Sequence, residues 1–195
     1  LSITTIQFDA IKASGVTYDV NSVVAIVADK TTLTGFSSTR LAEFKANGVD
    51  VLGSNTPTTA WTLTVAQYKA VIDSGLGFAK GDKITLQDTP DHIESLGAPE
   101  IGALAANGVD NIETDNGGDL SFTVAKVKAL GAVKLATTFP AIISDAANLI
   151  SGMTGDELAA ASAAGFDAIS ANNANPITLS VDQATKLGAL KAVTA

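Results

Sequence analysis

The groups in this sequence that could do chemistry are few, and most of them recur. Asp50, Asp110 and Asp167 close the same pentapeptide three times over, as Ala46-Asn47-Gly48-Val49-Asp50, Ala106-Asn107-Gly108-Val109-Asp110 and Ala163-Ala164-Gly165-Phe166-Asp167. Asp88 and Asp145 form a second recurring pair, replaced by Ala28 in the first copy. Rows of carboxylates are what Ca²⁺ would require, since it takes about six to eight oxygen ligands. Against this, an aspartate just past a helix end commonly caps its own turn. Equivalents in alternating strands of one sheet would also stand two strands apart, too far to share an ion. The Gly-Gly-x-Gly-x-Asp nonapeptide of calcium-binding rolls is absent from the sequence. The loop Asp115-Asn116-Gly117-Gly118-Asp119 is a second place for calcium on the same footing. No cofactor is expected, with calcium the one ion left open.

His92 is the only histidine, which excludes multi-histidine metal sites. Its repeat equivalents are Thr32 and Leu149, so it reads as a solvated turn residue rather than a catalytic base. Gly152-Met153-Thr154-Gly155 has glycines but neither the lysine nor the spacing of a phosphate-binding loop. Trp61, the only tryptophan, lies beside the Thr/Pro-rich insertion Ser54–Ala60. It reads either as a loop aromatic for a glycan or protein partner or as a cover for the edge of a helix layer, with packing favoured. No catalytic, cofactor-binding or metal-binding residue is assigned, and no enzyme is expected. A glycoside hydrolase working through paired carboxylates is the enzymatic alternative.

The elements that would position these groups repeat as well. Gly48 and Gly108 are 60 residues apart, and Gly165 lies 57 further on. A first type of helix begins near Thr4, Thr64, Thr123 and Ser180. Thr4/Gln7, Thr64/Gln67 and Ser180/Gln183 have the spacing of a capping box, in which hydroxyl and amide satisfy each other's backbone N–H groups. Strands follow at Val23–Asp29, Lys83–Asp88 and Ala141–Asp145. A linking turn leads to a second type of helix, at 39–47, 99–107 and 156–164, where Thr154/Glu157 makes a fourth box. Gly48, Gly108 and Gly165 are placed to stop these helices in the left-handed conformation, with Val49, Val109 and Phe166 latching back. A second strand type follows at 50–53, 110–114 and 167–170.

Each unit therefore reads strand–helix–strand–helix, and a half-unit of this size buries its apolar face only by stacking on neighbours. The boundaries are 1–60, 61–119 and 120–176, with a final helix in 177–195, all in a single repeat domain. The expected fold is α/β: a right-handed solenoid with six short parallel strands in one curved sheet and about seven helices on the other side. A compact layered domain and a two-wall solenoid use the same elements. Neither terminus carries the polar capping unit expected of an isolated solenoid, so the segment reads as part of a longer array or as one whose ends pack on other copies.

Composition narrows the job. The net charge is −8, which opposes binding to nucleic acid and to anionic membrane surfaces. Charged residues are 16% against about 25% in ordinary globular proteins, so the polar surface must be built largely from Thr, Ser, Asn and Gly. Aromatics are 5% of a chain that is 46% hydrophobic, leaving a core of Ala, Val, Ile and Leu suited to regular layers. There is no cysteine, hence neither disulfide nor thiolate site. No apolar run approaches the length of about 18 residues that suggests a membrane span.

The segments Ile101-Gly102-Ala103-Leu104-Ala105-Ala106-Asn107-Gly108-Val109-Asp110-Asn111-Ile112 and Leu63-Thr64-Val65-Ala66-Gln67-Tyr68 resemble the Ala/Asp/Thr-rich repeats of large type I-secreted bacterial surface proteins, adhesins and surface-layer-like proteins among them. In architecture the half-units are similar to leucine-rich repeats without their consensus. The resemblance implies an extracellular or cell-surface bacterial protein. The function expected is a non-enzymatic structural or adhesive repeat module, self-assembling end to end into a filament or lattice. Its partners would be other copies or adjacent repeats. The alternative is a module that binds a glycan or protein through its sheet face or variable loops.

Overall fold

The computed structural model describes residues 1–19, 21–58 and 60–193. Thr59 of the Thr/Pro-rich insertion and the last two residues of the expected final helix lie outside the described residues. The first repeat runs β1 (Ser2–Ile3), α1 (Thr5–Ser14), β2 (Ala25–Ala28), α2 (Lys30–Thr34), α3 (Ser38–Ala46) and β3 (Val51–Ser54). The second runs β4 (Trp61–Leu63), α4 (Val65–Asp73), β5 (Gly77–Phe78), β6 (Ile84–Asp88), α5 (Pro90–Glu94), α6 (Ala98–Ala106) and β7 (Val109–Thr114). The third runs β8 (Leu120–Phe122), α7 (Val124–Ala129), β9 (Lys134–Leu135), β10 (Ala141–Asp145), α8 (Ala147–Ser151), α9 (Gly155–Ala164) and β11 (Ala168–Ala171). A last stretch gives α10 (Val181–Thr185) and β12 (Lys191–Val193). Two compact units divide the chain, Leu1–Leu86 and Gln87–Ala195.

The fold is α/β with parallel strands, but the single six-stranded sheet is replaced by three four-stranded sheets, ordered β1-β2-β3-β5, β4-β6-β7-β9 and β8-β10-β11-β12. None of them closes into a barrel. The six strands read from the sequence are the two central strands of each sheet. The other six are edge strands of two or three residues, too short to display a periodicity of two. They flank helices of the first type, and in the middle of the chain, at α4 and α7, such a helix bridges two sheets. In the first unit α4 leads from β4, the opening strand of one sheet, back to β5, the closing strand of the sheet before it. In the second unit α7 does the same between β8 and β9. Consecutive sheets are therefore interleaved along the chain.

Inside each sheet one register row carries the core. Ile3, Ile26, Leu52 and Phe78 pair across the first sheet, and Phe122, Ile143 and Ile169 across the third. All of these except the half-buried Phe78 are buried. Neighbouring residues point to the opposite face, as a pleated strand requires, which sets the exposed Thr62 beside the buried Thr85, and Ser144 beside Ser170. This is where the uncharged polar residues of the composition are used.

The helices begin and end for the reasons read in the sequence. Reciprocal capping boxes form at Thr4/Gln7, Thr64/Gln67, Thr154/Glu157 and Ser180/Gln183. The second type of helix stops in a Schellman turn. Val49 N–H donates to the Phe44 carbonyl at 3.0 Å and Gly48 N–H to Lys45 at 3.1 Å; Phe166 and Gly165 repeat the pattern onto Ala161 and Ser162, both at 3.1 Å. Gly48, Gly108 and Gly165 have φ of 83°, 89° and 110°, a region a Cβ penalises. The linking turns hold three further helices, α2, α5 and α8, of five residues each. These raise the number of described helices to ten from the seven expected. One turn on a single cap falls below the length at which apolar spacing identifies a helix.

Candidate functional site

The recurring aspartates are built into the scaffold. Asp50 Oδ2 accepts from Val24 N–H and Asp167 Oδ2 from Ala141 N–H, each at 3.0 Å and each across 26 residues. The carboxylate thus ties down the entry of the central strand before it instead of capping its own turn, which corrects the local capping expected from the sequence. Asp145 works from the other end of a central strand. Its Oδ2 accepts from Val124 N–H at 3.0 Å and its Oδ1 from Ala146 N–H at 2.8 Å, so one side chain holds the start of α7 and the entry to α8. In the first repeat, where Ala28 stands in its place, Asp29 takes over the nearer task. It caps α2 through Thr32 N–H at 3.0 Å, and that bond holds its carboxyl below the usual range.

At Asp88 a recurring carboxylate meets the histidine of the chain. His92 Nδ1 lies 2.7 Å from Asp88 Oδ1, which also accepts from Thr89 N–H at 2.8 Å. The geometry follows from α5: Thr89 caps it and Pro90 opens it. The hydrogen bond to Asp88 raises the His92 pKa, with smaller contributions from Asp91 and Asp115. His92 is therefore a tethered surface group rather than a freely solvated one. A carboxylate on Nδ1 orients an imidazole for proton transfer through Nε2, but catalysis would need a nucleophile or substrate pocket beside it. Among the described residues no group of three or more His, Asp or Glu side chains stands where it could hold a metal ion.

Trp61 is not a loop residue. It opens β4, is 1% exposed and packs edge-on against Phe78 at 5.3 Å between ring centroids. This settles the sequence alternative in favour of packing, and its buried Nε1 has no hydrogen-bond partner among the described residues. The insertion before it bends through its own hydroxyls, Thr56 N–H donating to Ser54 Oγ at 3.0 Å. Asp82, which sequence reasoning passed over, accepts from Ser54 N–H at 2.7 Å, and burial pushes its carboxyl pKa up. Grooves of about 220, 240 and 300 Å³ run between adjoining helices, at or below the lower end of the range for small-molecule sites, about 300–1,000 Å³.

A further set of contacts fell only half within reach of the sequence. The capping-box glutamines have a second amide face. Gln67 Nε2 donates to the Thr34 carbonyl at 2.9 Å, and Gln183 Nε2 to Ser151 at 2.8 Å and also to Met153. In the third repeat Lys126 stands at that position. Its Nζ reaches the Glu94 carbonyl, while Glu94 Oε1 accepts from Ser121 N–H. The signal was a box residue that kept either an amide or an ammonium donor in every copy.

No protein-family model matches the chain, and no curated protein matches it either. Among the described residues no helix is long and apolar enough to cross a membrane.

Proposed function

We propose that the protein is a non-enzymatic structural or adhesive repeat module of a bacterial cell surface, its repeats wound as a right-handed solenoid and assembling on further repeats of the same kind. The observation that carries this reading is the use made of the polar groups. Asp50, Asp145, Asp167, Gln67 and Gln183 all satisfy backbone groups in neighbouring elements, which is what a scaffold asks of them. Exposure supports the assembly part. Val65 and Val124 are each 7% exposed, but their equivalent Val181 is 81% exposed. At the other end of the repeat series Val16 is 63% exposed where its equivalent Leu76 is 3% exposed. A further repeat is the occupant this reading assigns to the exposed positions.

Sedimentation and electron microscopy test the proposal. Concentration-dependent filaments or sheets, weakened by Val181→Asp, are the expected result. A chain that stays monomeric at high concentration would overturn the assembly reading, and ligands retained on a glycan array would favour a binding module instead.

A further inference from the structure

Three Asn-Gly pairs occur in the chain: Asn47-Gly48, Asn107-Gly108 and Asn116-Gly117. The pair is chemically special, because glycine offers no side chain to hinder attack of its amide nitrogen on the asparagine carboxamide. In the first two pairs that nitrogen is engaged. Gly48 N–H donates to Lys45 O and Gly108 N–H to Ala105 O, each at 3.1 Å, as part of the helix stop. Asn47 also commits its side-chain amide, Nδ2 donating to Glu43 O at 2.8 Å.

Asn116 is placed differently. It lies exposed in the turn between β7 and β8, and Gly117 N–H has no acceptor among the described residues. Asn116 Oδ1 accepts from Gly118 N–H at 2.8 Å. This Asx turn folds the carboxamide back along the chain, and its hydrogen bond polarises the carbonyl. Glycine at 118 is part of the arrangement, since a Cβ there would stand 2.9 Å from Asn116 Oδ1 and 3.0 Å from Pro90 Cγ.

We propose that Asn116 is a site of spontaneous backbone modification, and that the fold protects Asn47 and Asn107 from the same reaction. Water or hydroxide removes the Gly117 amide proton, and the nitrogen attacks Asn116 Cγ. The Cγ–Nδ2 bond breaks, and Nδ2 leaves with a proton as ammonia. The five-membered succinimide then adds water at one of its two carbonyls, giving aspartate or a β-linked isoaspartate. No electrons change hands, and water is the only co-reactant. The product adds a carboxylate to a loop that already holds Asp115 and Asp119.

The test is to incubate the folded chain at mildly alkaline pH, digest it and follow the amide-to-acid mass change at each asparagine. Conversion at Asn116 is expected to exceed that at Asn47 and Asn107 by about tenfold or more, because the protected pairs react only after local opening. N116Q should remove the signal, and in denaturant the three sites should convert at similar rates. Conversion of Asn47 or Asn107 as fast as Asn116 in the folded chain would overturn the proposal, as would an Asn116 that stays intact in the folded chain while the denatured chain reacts.

Discussion

Gln183 reaches Ser151 across 32 residues, its Nε2 donating to the Ser151 carbonyl at 2.8 Å, while its Oε1 accepts from Ser180 N–H at 2.6 Å. A single primary amide thus starts one helix and finishes the helix α8 of the repeat before it. Both functions depend on the amide having a donor and an acceptor, which glutamate and methionine cannot reproduce together.

Replacing Gln183 by Ala leaves a helix start and a buried carbonyl without partners. A loss of about 1–3 kcal/mol is expected from such unpaired groups, measured by urea denaturation. Gln183→Glu keeps the acceptor but loses the donor and should fall between the two.

The helix stops offer a graded test. A Cβ at Gly165 would stand 2.9 Å from the Leu135 carbonyl oxygen with φ at 110°, whereas at Gly48 it would meet only the Tyr18 ring at 3.3 Å with φ at 83°. Gly165→Ala is expected to cost about 1–3 kcal/mol, and Gly48→Ala less. Equal losses on thermal or chemical unfolding would show that backbone conformation alone sets the cost.

Asp167→Ala removes the carboxylate that accepts from Ala141 N–H. The cost should be about 1.5–3 kcal/mol, the range for hydrogen bonds to charged groups. Hydrogen exchange would place the damage at the entry of β10 rather than in the turn that holds Asp167.

His92 gives the chain a pH-dependent element with a definite sign. Asp88 raises its folded pKa above the unfolded value, so the stabilisation is fully present below the unfolded pKa, about 6.5. It is lost as pH rises through the folded pKa. An NMR titration should place the His92 midpoint above that of a model peptide, and Asp88→Asn should bring it down. Because His92 is largely exposed, the effect on melting will be small and reduced by salt.

Asp145 commits both carboxylate oxygens to backbone N–H groups, and Asp50 and Asp167 each commit Oδ2, which leaves the row short of the oxygens a cation needs. Millimolar calcium or a chelator should leave the melting temperature unchanged. A clear upward shift with calcium would reinstate the carboxylate row, or the Asp115–Asp119 loop, as an ion site.

Much of this architecture was legible because it depends on local rules. Thr64 with Gln67 announces a helix start, and Gly108 after Asn107 a helix stop, without reference to anything distant. The central strands are long enough for their apolar residues to be recognised. Gly77–Phe78 and Lys134–Leu135 are not. Two residues have no period, and they become strands only because a paired neighbour supplies the ladder. The division into three sheets was hidden for the same reason, since it depends on which strand each short piece joins. Trp61 was legible as a packing residue but not as a strand residue: the Thr/Pro-rich residues before it hid the short strand in which it pairs with Ile84. The aspartate row was visible as a pattern, yet its partners lie 26 residues upstream, beyond any local motif.

The interleaving of the sheets decides where this chain can be cut. A break placed between the first and second repeats, just ahead of Trp61, would assign β5 to the wrong fragment, and the first sheet would lose its closing strand with the core residue Phe78. Repeat boundaries drawn from sequence identity are therefore not seams. A fragment that keeps the first sheet whole must therefore run past Phe78.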